Sequence, residues 1–160
     1  MTENYVHIMV ESLEKKKAIL DEIMEKSKEQ TEILKAEDFS VDDFDRNVEE
    51  KATLIENLSR LDIGFDRMFE HVKEEITSDS GKEQYRTEIR KMQQLISELT
   101  EKSISIQALE NRNKEMVETT FKNEREKIKS VKLGSKAAIG YYRNMSKTNF
   151  VQPQFLDQKN

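Results

Sequence analysis

From Lys82 to Lys132 the chain has no glycine and no proline. Apolar residues return at steps of three and four through Tyr85, Ile89, Met92, Ile96, Leu99, Ile106, Leu109, Met116 and Val117. Side chains at that spacing share one face of an α-helix, so the pattern predicts a single helix over about 81–132. At ~1.5 Å per residue such a helix is roughly 75 Å long. Two helical segments precede it, each roughly 50 Å by the same rise. If all three fold back on one another, the end of the third stands beyond its neighbours.

The boundaries of the first two helices are well marked. Val6, Leu13, Leu20 and Leu34 stand seven or fourteen residues apart, with Met9, Val10, Ile23 and Met24 between them. This narrow seam predicts a helix near 3–36 that packs on other helices, and it turns polar at Ser27, Gln30 and Thr31. Ser40 is then a helix N-cap with Asp43 as its capping-box partner, and Phe39 and Phe44 occupy the two hydrophobic-staple positions. A second helix follows near 41–77, striped by Phe44, Val48, Ile55, Leu58, Leu61, Phe65, Met68, Phe69, Val72 and Ile76. Gly64 within it is expected to admit a close neighbour. Ser80 with Glu83 makes a second capping-box pair and is expected to open the third helix. Gly134 either stops that helix or is passed through to about Met145. The expected fold is all-α: an elongated antiparallel three-helix bundle or coiled coil, with an over-long third helix. One bundle domain covers 1–145, and an irregular, flexible tail covers 146–160.

Composition agrees with a thin bundle and removes several functions. Hydrophobic residues make up 35% of the 160 and charged residues 37%. A bundle needs only one apolar stripe per helix, which suits this ratio. With no cysteine there is no disulfide scaffold and no thiolate metal site. The net charge is −5 with both signs interspersed, which disfavours nucleic acid as a partner. No run of 18 apolar residues suggests membrane insertion, and the N-terminal residues have no signal-peptide pattern, so a soluble cytoplasmic protein is expected.

No catalytic constellation is visible, so the chain is not expected to be an enzyme or to hold a cofactor. His7 and His71 fall on different helices and are expected to face solvent rather than bind metal. Met9, Met24, Met68, Met92 and Met116 lie on or beside the apolar stripes; most are expected to fill core gaps, whereas Met116 and Met145 stand near the end of the third helix, where flexible thioethers suit a partner surface.

The excess length of the third helix is the strongest functional pointer. Running back along the second helix, it should pass Val41 by about residue 117. Beyond that point lie Phe121, Ile128, Val131, Leu133, Ile139, Tyr141 and Tyr142, expected without intramolecular cover. Contiguous apolar surface of that kind marks an interaction site.

The chain resembles the FlgN/FliT-type flagellar export chaperones. The likeness lies in Glu49-Glu50-Lys51-Ala52-Thr53-Leu54-Ile55-Glu56-Asn57-Leu58, in the N-x-N element Asn111-Arg112-Asn113-Lys114-Glu115-Met116-Val117, and in Tyr141-Tyr142. The tail ending Phe155-Leu156-Asp157-Gln158-Lys159-Asn160 departs from the pattern. The resemblance implies a cytoplasmic chaperone that binds the amphipathic terminal helices of a hook-associated protein or filament cap. It also implies delivery to the export apparatus. It adds Asn111, Asn113, Met116 and Val117 to the expected partner-binding residues. The competing expectation is a structural coiled-coil or dimerisation module without chaperone activity, and a weak homodimer fits either.

Overall fold

A computed structural model describes residues 1–124, in which four helices follow one another without a strand among the described residues. Helix α1 spans Thr2–Lys35 and α2 spans Val41–Thr77. A short α3 covers Asp79–Gln84, and α4 covers Arg86–Glu124. The first turn forms as its residues predict. The Ser40 hydroxyl accepts the Asp43 N–H at 3.2 Å, and the Phe39 and Phe44 rings close over it with centroids 6.1 Å apart.

The second turn differs from expectation. Ser78, not Ser80, is the cap: its hydroxyl accepts the Gly81 N–H at 3.0 Å. A Cβ at residue 81 would lie 1.7 Å from the Glu75 carbonyl oxygen. Capping from Ser78 therefore places the only side-chain-free residue of this stretch at the tightest backbone approach. The expected single third helix is also broken. Tyr85 leaves helical geometry at φ −106°, ψ 23°, which ends α3, and α4 begins one residue later. The expected continuation of the helix to 132 or 145 lies outside the described residues, as does the tail 146–160. Gly64 admits no close neighbour, since a Cβ there would meet nothing within 4 Å.

By backbone proximity α1 is the central helix, with α2 along one side and α4 along the other. Ion pairs state the directions. Lys16–Asp62 and Lys26–Glu50 match rising α1 numbers with falling α2 numbers, so α2 is antiparallel to α1. Lys17–Glu98 and Lys102–Asp21 rise together, so α4 is parallel to α1. The apolar seams meet in one long core, including Leu13, Leu20, Ile55, Leu58, Phe65, Met92, Ile96, Leu99 and Ile106. Met9 and Met92 are fully buried and Met24, Met68 and Met116 pack partly against the core, consistent with a gap-filling role.

Candidate partner-binding end

The bundle end formed by the α1–α2 turn and the last turns of α4 holds the described residues singled out for partner binding. It has two layers: a polar layer first, and an aromatic cap beyond it.

The polar layer is built where all three seams lose their apolar residue at one level. On α1 the gap is Ser27 and Gln30, on α2 it is Asn47 and Lys51, and on α4 it is Glu110 and Asn113, all buried. The Lys51 ammonium donates to Glu110 Oε1 at 2.5 Å and to Gln30 Oε1 at 3.2 Å. The Ser27 hydroxyl donates to the same Glu110 oxygen. Asn113 donates its amide to the Ser27 carbonyl at 2.9 Å and to Gln30 Oε1 at 3.2 Å, and its Oδ1 accepts from Thr31 at 2.7 Å. Asn47 donates to the Lys26 carbonyl at 2.9 Å. Burial pushes the Lys51 ammonium below its ordinary range, and the Glu110 carboxylate opposes that shift. The second oxygen of Glu110 and the Oδ1 of Asn47 find no protein donor among the described residues.

Beyond this layer three phenylalanines close the end. Phe121 of α4 meets Phe44 of α2 with centroids 5.2 Å apart at 76°, and Phe39 of the turn at 6.0 Å and 66°. These near-perpendicular arrangements are the favoured ones for aromatic quadrupoles.

The expectation that Phe121 lies beyond intramolecular cover is therefore corrected: it is 7% exposed. The break at Tyr85 is the reason. With α4 starting at Arg86 rather than near 81, its end falls about one turn short of the expected position. Phe121 then lies level with the start of α2 instead of past it. Val117 and Asn113 are likewise buried, Met116 is half-buried, and Asn111 is exposed. Ile128, Val131, Leu133, Ile139, Tyr141 and Tyr142 lie outside the described residues.

Sequence reasoning found the polar step in α1 but missed Lys51 and Glu110. Their signal was present. Lys51 occupies the seam step between Val48 and Ile55, and Glu110 the step between Ile106 and Asn113. A charge at a seam position reads as a surface residue until a partner of opposite sign is placed beside it.

Elsewhere the described surface has little of this character. His7 is exposed and pairs with Glu11 at 3.3 Å, and exposed His71 stacks on Tyr5 at 5.4 Å. Among the described residues no three His, Cys, Asp or Glu side chains converge to hold a metal ion. No described helix is long and apolar enough to cross a membrane. Ile8, Ile63 and Ile104 are exposed singly, which is ordinary for a protein surface.

No curated protein and no solved structure matches the chain. The sequence model of the FlgN protein family matches residues 1–147, which takes in α1, α2, α3, α4 and the segment directly after them. On that match the chain belongs to the FlgN family, the flagellar export chaperones that its helices and its N-x-N element resemble.

Proposed function

We propose that this protein is a cytoplasmic export chaperone for one late flagellar subunit, a hook-associated protein or the filament cap. It holds the subunit's amphipathic terminal helices, prevents premature assembly, and passes the subunit to the export apparatus. The observation that carries this reading is the family match over residues 1–147. The sequence from Met116 to Tyr142 supports it, because its recurring apolar residues suit the recognition of an amphipathic helix. The proposed partner-binding set is Asn111, Asn113, Met116, Val117 and Phe121, together with Ile128, Val131, Leu133, Ile139, Tyr141 and Tyr142 farther along the chain. The activity is binding, with neither catalysis nor a cofactor.

Calorimetry with synthetic terminal-helix peptides of hook-associated and cap proteins tests it. One of them should bind at 1:1 stoichiometry with a negative heat-capacity change, the mark of apolar burial. Met116→Ser combined with Val131→Ser should weaken that binding about tenfold or more, equivalent to ~1.4 kcal/mol. Phe121→Ser should also lower the melting temperature, because its ring is part of the core. If no peptide binds and light scattering shows a tight homodimer, the chain is a dimerisation module instead.

A further inference from the structure

Two contacts bridge α1 and α2 on the flank away from α4. Toward one end Lys26 pairs with Glu50 at 3.0 Å, and toward the other Tyr5 stacks on His71 at 5.4 Å. α4 is held on the opposite flank of α1, where Lys17 pairs with Glu98 and Asp21 with Lys102. Between the two bridges the outer α1–α2 groove widens into a cavity of about 430 Å³. Lys15, Ala18 and Ile19 of α1 line it, with Asn57, Arg60 and Leu61 of α2. Leu54 and Met68, seven residues before and after Leu61, are half-buried on the same face and extend its apolar floor along the helix.

The charge of this cavity has one sign. Lys15 and Arg60 are its ionisable lining residues, exposed on opposite walls. Arg60 shares Glu56 at 2.7 Å along α2, an exposed pair of small worth. Glu11, one turn before Lys15, pairs instead with His7 at 3.3 Å. A cationic rim over an apolar floor therefore stands on a chain whose net charge is −5.

Gly64 adds an independent observation. A glycine inside a helix costs ~1 kcal/mol relative to alanine. Nothing in the described chain uses the space it leaves, because a Cβ there would meet no atom within 4 Å. It stands four residues past Arg60 and seven past Asn57, on the same outward face of α2. The wall of the groove is thus lowered beside the cavity, where a second backbone can pass close.

We propose that the outer α1–α2 groove docks an acidic amphipathic helix of a partner protein. Apolar side chains of that helix rest on Ile19 and Leu61, its carboxylates meet Lys15 and Arg60, and its backbone passes over Gly64. This is the helix-in-groove mode of recognition, with the rim charges selecting the partner. A second copy of this chain is the poorer occupant, since a two-fold contact centred here sets Lys15 and Arg60 against the same two cations. From Ile19 to the end of α1 at Lys35 the rise is roughly 24 Å. The groove is therefore a surface separate from the bundle end, and it does not rest on the function proposed above.

Two synthetic peptides of about five helical turns are the probes. Both carry leucines at three- and four-residue steps with alanine at the centre of the apolar face. One has glutamates beside that face and the other lysines. In fluorescence anisotropy with the full chain, the glutamate peptide should bind at least about tenfold more tightly than the lysine peptide. Lys15→Glu/Arg60→Glu changes two exposed residues, leaves the fold intact, and should invert that order. Gly64→Leu should weaken the glutamate peptide at least about tenfold while the melting temperature holds or rises, because leucine favours the helix and displaces nothing in the chain. Met116→Ser/Val131→Ser, altered in the set proposed for subunit binding, should bind the glutamate peptide as wild type does. Equal binding of the two peptides, no binding of either, or indifference to Gly64→Leu overturns the proposal. So does a homodimer in light scattering that Gly64→Leu separates, which would give the groove to a second copy.

Discussion

Lys51 and Glu110 carry the sharpest contrast between chemistry and position in the chain. Both are charged, both are buried, and each meets the other only through tertiary packing. Removing one partner leaves an ion without compensation in a closed environment, whereas replacing both with apolar groups of similar size removes the desolvation of both. Lys51→Ala should therefore destabilise the protein by ~3–5 kcal/mol in a urea titration. Lys51→Met/Glu110→Met should be neutral or stabilising. Similar losses in the two variants would mean that the layer is held by its wider hydrogen-bond set rather than by the ion pair. The second buried lysine, Lys16, is as deeply buried, but its pair with Asp62 at 2.7 Å reaches solvent through Asp62, which keeps about a fifth of its side-chain area in water. That difference makes the Lys51 layer, and not the Lys16 pair, the dividing plane of the core.

At the scale of elements, the two turns show how much a helix boundary depends on its neighbours. Ser40 caps α2 as its local residues predict, since a cap, its N3 amide and a staple are all within six residues. In the second turn the local capping-box pattern favours Ser80 with Glu83, and the Glu75 carbonyl overrides it by leaving room only for Gly81, which places the cap at Ser78. The two helical glycines should accordingly respond in opposite ways to the same substitution. Gly64→Ala should raise stability by up to ~1 kcal/mol, the propensity difference, since nothing stands where the methyl would go. Gly81→Ala should lower the melting temperature and loosen the α2–α3 corner, because its methyl meets backbone rather than a side chain that can turn away. Thermal melts of both variants decide the point, and a loss at Gly64 equal to that at Gly81 would contradict it. The break at Tyr85 belongs to the same corner, and its one-turn shortening of α4 is what brings Phe121 over Phe39 and Phe44.

For the molecule as a whole, the acidic surface predicts a particular response to pH. Burial is the first cause that raises the Asp45 and Asp66 carboxyls above their ordinary range. Glu49 and then Asp42 add to it at Asp45, and Asp62 adds to it at Asp66. A carboxyl raised in the folded state binds protons more tightly there than in the unfolded chain. Stability from these two groups therefore increases as pH falls from neutral through their raised values toward the ordinary value of ~4. Glu98 has the opposite sign. The Lys17 hydrogen bond depresses its carboxyl, so its contribution is present above the ordinary value and is lost below it. Melting temperatures between pH 7 and 4 for wild type and Asp45→Asn/Asp66→Asn should therefore converge on the wild-type side as pH falls. The variant should be the more stable at neutral pH and lose that advantage in mild acid. A gap independent of pH would show that the two aspartates act through packing rather than charge.

Helices, their stripes and the first cap were legible in the chain alone, because each depends on residues within one or two turns of one another. Val6, Leu13 and Leu20 can share a face only in a helix, and Ser40 with Asp43 needs no distant partner. Family membership was legible for a related reason, since it lies in the order of residues along α2 and α4. The alignment of α4 against α1 and α2 was not legible. It depends on a break at Tyr85 that no glycine or proline announces, and on Lys51 finding Glu110 across 59 residues of chain. Whether a seam-position charge faces water or a counter-charge is settled only when helices are set side by side. Tertiary structure alone therefore decided that Phe121 closes the end of the bundle, and that a polar layer stands between that end and the rest of the core.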